Sequence, residues 1–207
     1  MLIPDELLKE FKTLRNQQRD DLLEERLLRE YADLKKLGDV EKLAFIVSEL
    51  AHFYTVSGIK DLKRAEEYHL ELERLEPGAQ SKWITAGFFH AFGSPMKVIE
   101  KVNEIDPKDP DCVCRYSALA LKGEAFISLN SLDAARETLD ELLRMTREHQ
   151  GDLPYGDEIV LLEASTKVSP LIQKSRELLD IVTPRIQDKV YQERGQKLLQ
   201  SVAGGQA

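Results

Sequence analysis

The stretch DCVC, residues 111 to 114, is where this chain brings two sulfur side chains closest, because Cys112 and Cys114 are its only cysteines. A helix starting after Pro110 would put Cys112 at its N-terminus, where the backbone dipole lowers a thiol pKa, and a thiol-redox protein built on Cys112 is one reading. Alternate residues of a helix point apart, however, which favours two small side chains tucked into helix packing. Their spacing suits neither a structural disulfide nor, with two ligands only, a zinc site. The four histidines, His52, His69, His90 and His149, are scattered. His52 and Glu49 share one helical turn, which reads as a solvated or groove-facing pair rather than a metal site. Glu24-Glu25 and Glu66-Glu67 read as solvated helix faces, since general acid/base work needs a pocket. The chain has no glycine-rich phosphate loop, no H-E-x-x-H, no G-x-S-x-G and no calcium loop. The expectation is a chain that is not an enzyme, with no catalytic residues, no metal and no cofactor.

Length and composition bound the rest. The 207 residues suffice for one domain or a short repeat array. Hydrophobic residues at 42% and charged residues at 32% describe a globular chain that folds without a partner. A net charge of -8 opposes binding to phosphate backbones, so no nucleic acid is expected. Basic residues alternate with acidic ones throughout, which argues against an anionic membrane surface. The opening MLIPDELLKEF is acidic where a signal peptide is basic, and no long apolar run follows. A cytoplasmic location is expected, and a reducing compartment suits the two cysteines.

Apolar residues recur at three- and four-residue steps, as in Leu43, Ile46, Val47, Leu50, Phe53 and Tyr54, so the chain reads as all-α. Ser94-Pro95, Ser169-Pro170 and Thr183-Pro184 each place a capping hydroxyl before a proline at the first helical position. Thr183-Pro184 reads as a break, with a kink in one long helix as the alternative. Gly58 and Gly93 read as left-handed stops. Residues 5 to 37 carry Leu7, Leu8, Phe11 and Leu14, then the polar tract RNQQRDD, then Leu22, Leu23, Leu27, Leu28, Tyr31 and Leu34. Two readings stay open there: a single projecting helix that dimerises, or two helices turning near Asn16 as a cap.

A three-part pattern repeats through the middle of the chain. Ala51, Tyr54 and Gly58 are followed at the same offsets by Ala86, Phe89 and Gly93, and then by Gly123, Phe126 and Asn130. The small residue recurs after 35 and then 37 residues (51 to 86 to 123). Second helices contribute Val98 and Ala135, five residues after Gly93 and Asn130, and Ala65, seven after Gly58; with that two-residue insertion allowed, Pro77 and Pro110 follow at matching distances, and the third unit has Arg147 instead. Small side chains let two helices cross closely, so Gly123 and Ala135 are expected to let one helix of their hairpin press on the other, with Phe126 filling the space beside them.

Residues 44 to 149 thereby resemble the tetratricopeptide repeat family, whose units of about 34 residues carry such a small residue, aromatic, turn glycine, alanine and proline. The resemblance implies a right-handed superhelical stack of antiparallel helix hairpins, an α-solenoid. The organisation expected is an N-terminal helical segment over 1–38, long or paired, for capping or dimerisation. Three hairpins over 39–149, a degenerate fourth hairpin with a capping helix over 150–202, and a disordered tail over 203–207 follow.

In that family the first helices line a concave groove that holds a peptide or a helix of a partner. Carried onto this sequence, the groove positions are Phe45, Ser48, His52 and Thr55; Gln80, Trp83, Gly87 and His90; and Ser117, Ala120, Glu124 and Ile127. None is Lys, Arg or Asn, which disfavours a clamp for a C-terminal carboxylate. Trp83 suits either the groove or the core. The implied function is a noncatalytic protein-binding adaptor. The alternative is a structural subunit forming a homodimer through residues 5–37.

Overall fold

Four residues with positive φ mark where helices end: Gln18 (55°), Gly38 (69°), Gly93 (66°) and Asn130 (56°). The computed structural model describes residues 5–57, 59–106, 108, 112–148 and 157–204, with Cys112, Val113, Asp157 and Ala203 described by backbone alone. Within them lie eleven α-helices and no strand. Gly58, Pro110, His149 and the thiol of Cys112 fall outside the described residues. The chain divides into two compact units, Met1–Ser81 and Lys82–Ala207, and this boundary falls inside the stretch expected as three hairpins.

The first unit holds α1 (Asp5–Asn16), α2 (Asp20–Leu37), α3 (Val40–Val56) and α4 (Leu62–Leu75). Residues 5–37 are thus two helices. Gln18 adopts the left-handed conformation, and the Arg19 N–H donates to the Leu14 carbonyl at 3.0 Å, so the chain reverses. Leu7 and Phe11 of α1 and Leu23, Leu27 and Leu34 of α2 turn inward at helical spacing. Complete burial of Leu23 and Leu27 is worth about 2 kcal/mol each. At the next boundary Gly38 closes α2 by donating to the Leu34 carbonyl, and the Asp39 carboxylate caps α3 by accepting from the Lys42 N–H at 3.2 Å. Asp61 caps α4 in the same way, from the Arg64 N–H at 3.1 Å.

Helix α3 packs against α2 and α4. Its Tyr54 is fully buried, donates from its hydroxyl to Glu24 at 2.6 Å and accepts from Arg64 at 2.8 Å. Burial and the Glu24 carboxylate hold that phenol above its usual range. Tyr68 stacks on Tyr54 at 5.8 Å and meets Tyr31 edge-on at 5.7 Å, so rings from α2, α3 and α4 form one cluster.

The second unit holds α5 (Ala79–Ala91), whose first residues precede the boundary, then α6 (Pro95–Asn103), α7 (Cys112–Ser128) and α8 (Leu132–Glu148). It continues with α9 (Asp157–Ser165), α10 (Ile172–Val182) and α11 (Lys189–Gly204). Helix α7 packs against α6, α8 and α9; α10 packs against α8 and α9; α11 packs against α9 and α10. Thr183 to Arg185 form a 3-10 turn and Ile186 is extended, so α10 and α11 are separate helices, as expected. The hydroxyl caps are not made: Ser94 forms no side-chain cap, and Ser169 lies inside a 3-10 turn whose cap is Val168. Helix α11 also runs through Gly204, past the point where a tail was expected.

The turns themselves repeat. Ser94 donates to the Phe89 carbonyl at 2.9 Å and Ser131 to the Phe126 carbonyl at 2.8 Å, as Arg19 does to Leu14. Four residues further on, Leu23, Val98 and Ala135 donate to the carbonyls of Arg19, Ser94 and Ser131 at 3.0, 3.1 and 3.0 Å. The hairpin of α1 and α2 therefore shares its turn with the hairpins at Gly93 and Asn130.

Close approach at Gly123 takes a different form from the one expected. A Cβ there would sit 2.9 and 3.0 Å from the two methyls of Leu161 on α9, and 3.5 Å from Thr138 on α8. The missing side chain chiefly admits the following helix, α9, rather than Ala135 of its own hairpin. Ala51, Ala65, Ala86, Phe89 and Ala135 are buried, whereas Phe126 is half-buried with Lys122 over its ring at 5.8 Å. None of the eleven helices is long and apolar enough to cross a membrane among the described residues.

Candidate protein-binding surface

Spacing along α3 separates two faces. Ala44, Val47, Leu50, Ala51 and Tyr54 are buried, while Phe45, Ser48 and Thr55 are half-buried and His52 is exposed. Residues 45, 48, 52 and 55 follow the three-and-four step of one helical stripe, so these four positions form a solvent-reaching strip. Glu49 beside them is engaged by Arg15 of α1, and the Thr55 hydroxyl donates back to the Ala51 carbonyl at 2.7 Å.

In the second unit α5 and α7 bring His90 and Glu124 together. His90 Nε2 lies 3.0 Å from Glu124 Oε2. A carboxylate oxygen accepts, so this pairing puts the ring proton on Nε2. Glu124 is 9% exposed, and its second oxygen, Oε1, is buried and makes no hydrogen bond among the described residues. Leaving such an oxygen unmet costs about 1–3 kcal/mol, so a further donor there would be stabilising. His90 keeps 36% of its side chain exposed, so the pair reaches the surface through the imidazole. Ile127, one helical turn along α7, is half-buried. Trp83 on α5 is half-buried, intermediate between groove and core. Gly87 has open space where a side chain would be.

Two groove positions are corrected. Ser117 and Ala120 are completely buried. Helices α6, α8 and α9 all pack against α7, which leaves little of its surface free. The solvent-reaching part of α7 narrows to Ile127, with Glu124 nine-tenths buried one turn before it.

The chemistry available is recognition of hydrogen-bond donors. A recessed carboxylate takes an ammonium, a guanidinium or a backbone N–H in charge-assisted hydrogen bonds, and does so more strongly away from bulk water. A His and Glu pair also occurs as the orienting half of a nucleophilic triad. The hydroxyl on the adjoining turn, Ser128, instead donates to the Glu124 backbone carbonyl at 2.9 Å. Cys114 is buried at 4% exposure. Among the described residues no three His, Cys, Asp or Glu side chains gather at metal-binding distances.

His69 lies in α4, opposite the strip on α3, at 6% exposure. Burial, and then the neighbouring His52, push its pKa down to about 4. Its sequence gave no sign of this, because an isolated histidine fits a surface as well as a core. The tight seat of Gly195 was also not anticipated: a Cβ there would lie 2.7 Å from the Thr183 hydroxyl and 3.0 Å from Ile159. Comparison of the chain with family models, with curated proteins and with solved structures gives no match.

Proposed function

We propose that this chain is a noncatalytic adaptor of the tetratricopeptide-like class, holding a peptide or helix of another protein against α5 and α7. Support for the repeat comes from the turn hydrogen bonds shared at Asn130, Gly93 and Gln18. The contacts of α7 with α9 and of α8 with α10 add to it, because stacked hairpins align like helices in this order. The observation that carries the binding role is Glu124, nine-tenths buried, paired to His90 through one oxygen and unmet at the other. The natural complement is a partner segment that presents a lysine, an arginine or a free backbone N–H beside an apolar residue for Ile127.

Selection from a displayed random-peptide library, run on the native chain and on Glu124→Gln, tests this reading. Enrichment of peptides with a basic residue beside an apolar one, lost on Glu124→Gln, is the expected result. Selection of the same peptides by both proteins would remove Glu124 from the binding surface.

A second reading, self-association through residues 5–37, draws on Leu8, Leu22 and Leu37, which stay exposed at 40%, 39% and 77%. It receives less support, because the larger apolar stripe of α1 and α2 faces inward. Light scattering of Leu22→Glu/Leu37→Glu beside the native chain distinguishes the two: equal masses would remove this surface from any oligomer.

A further inference from the structure

A second surface of the Lys82–Ala207 unit combines two cations with an aliphatic lining. A cavity of about 830 Å³ opens between the end of α9, the first turns of α10 and the last turns of α11. Its floor is aliphatic, from Ile172, Leu198 and Val202, and its polar lining includes Lys167 and Arg176 but no carboxylate. Neither cation forms an ion pair among the described residues. Other basic residues of this unit are paired in part: Lys174 with Asp140, Arg147 with Glu177 and Arg194 with Glu163 are ion pairs, whereas Lys122, Lys189 and Lys197 form none among the described residues. In a chain of net charge -8, a lining with two cations and no carboxylate has the sign opposite to the whole. The start of α10 within the same cavity adds the positive end of its helix dipole.

We infer that this cavity is a second docking site, independent of Glu124, which takes a short acidic amphipathic segment of a partner protein. Aliphatic side chains of the segment would cover Ile172, Leu198 and Val202, and its carboxylates would meet Lys167 and Arg176. The apolar floor favours a peptide over a phosphate polymer, which needs many cations and offers nothing for three aliphatic side chains. Recognition of a segment laid in a groove rests on apolar anchors for affinity and on charge for choice of partner.

The test uses fluorescence anisotropy of a labelled amphipathic peptide, about a dozen residues long, with leucines on one face and glutamates on the other. Its controls are the same peptide with glutamine for glutamate, an oligothymidylate and phosphatidylserine vesicles. The full chain is expected to bind the acidic peptide at least about tenfold more tightly than its neutral isostere, with the preference shrinking as salt rises. Lys167→Gln/Arg176→Gln should abolish that preference, and Ile172→Ala should weaken both peptides. Circular dichroism checks that each variant is folded; Lys167→Gln alone, at an exposed site, serves if the pair is not. The inference is overturned if the native chain does not bind the acidic peptide at about 100 µM, a weak limit for a groove of this size. It also fails if the isostere binds equally, if the variants keep the preference, or if oligothymidylate or vesicles displace the peptide. Glu124→Gln should leave this binding unchanged, so the site stands or falls apart from the adaptor surface.

Discussion

The burial of His69 makes the first unit sensitive to mild acid. The folded chain holds this imidazole at about 4, against the ordinary value of 6.5, so between these values the unfolded chain binds the extra proton. Stability contributed by the neutral ring is therefore complete above pH 6.5 and is lost as the pH falls through the folded value. Worked from those two values, the loss between pH 7 and pH 5 is about 2 kcal/mol, reaching about 3 kcal/mol by pH 4. Urea unfolding followed by far-ultraviolet circular dichroism, at pH 7 and pH 5, measures it. The comparison is between the native chain and His69→Phe, whose ring cannot titrate. Carboxylates titrate alike in both proteins, so the difference isolates the histidine. The native chain should lose about 2 kcal/mol more than the variant over this interval. Equal losses would show that His69 is solvated enough to accept a proton in place, and the argument from its burial would fail.

Gly123 and Gly87 make a matched pair. Gly123→Val should destabilise by about 2–3 kcal/mol, because Leu161 already fills the space, whereas Gly87→Ala, with open space beside α5, should stabilise by up to about 1 kcal/mol. Thermal unfolding of both reads the contrast. Gln18→Gly should stabilise by about 1 kcal/mol in urea titrations, by relieving the left-handed backbone at the turn between α1 and α2. Gly195→Ala should lower the melting temperature by a few degrees, a loss of about 1–2 kcal/mol, since its methyl would press on the Thr183 hydroxyl.

What the sequence disclosed depended on whether a residue type carries its own geometry. Gly93 and Asn130 announce left-handed turns through the residues themselves, and the helices on either side of them are legible from apolar spacing. Gln18 takes the same conformation with no such signature, so the polar tract around it left one helix and two equally open. Gly123 signals a close approach but not by what. The neighbour is Leu161, some forty residues on, and only tertiary packing names it. Tertiary packing also buries Ser117, which a position-by-position alignment placed at the surface. His90 and Glu124 were each placed on the groove face by that alignment, yet their hydrogen bond and the unmet Oε1 needed three dimensions to see.

The central claim is that the exposed part of α5 and α7 holds a partner. Amide hydrogen exchange, read by mass spectrometry with and without a peptide selected through Glu124, tests it most directly. Protection is expected over residues 83–91 and 124–128, centred on His90 and Glu124, with residues 5–37 and 167–202 unchanged. Protection confined to either of those other segments, or none at saturating peptide, would contradict the account.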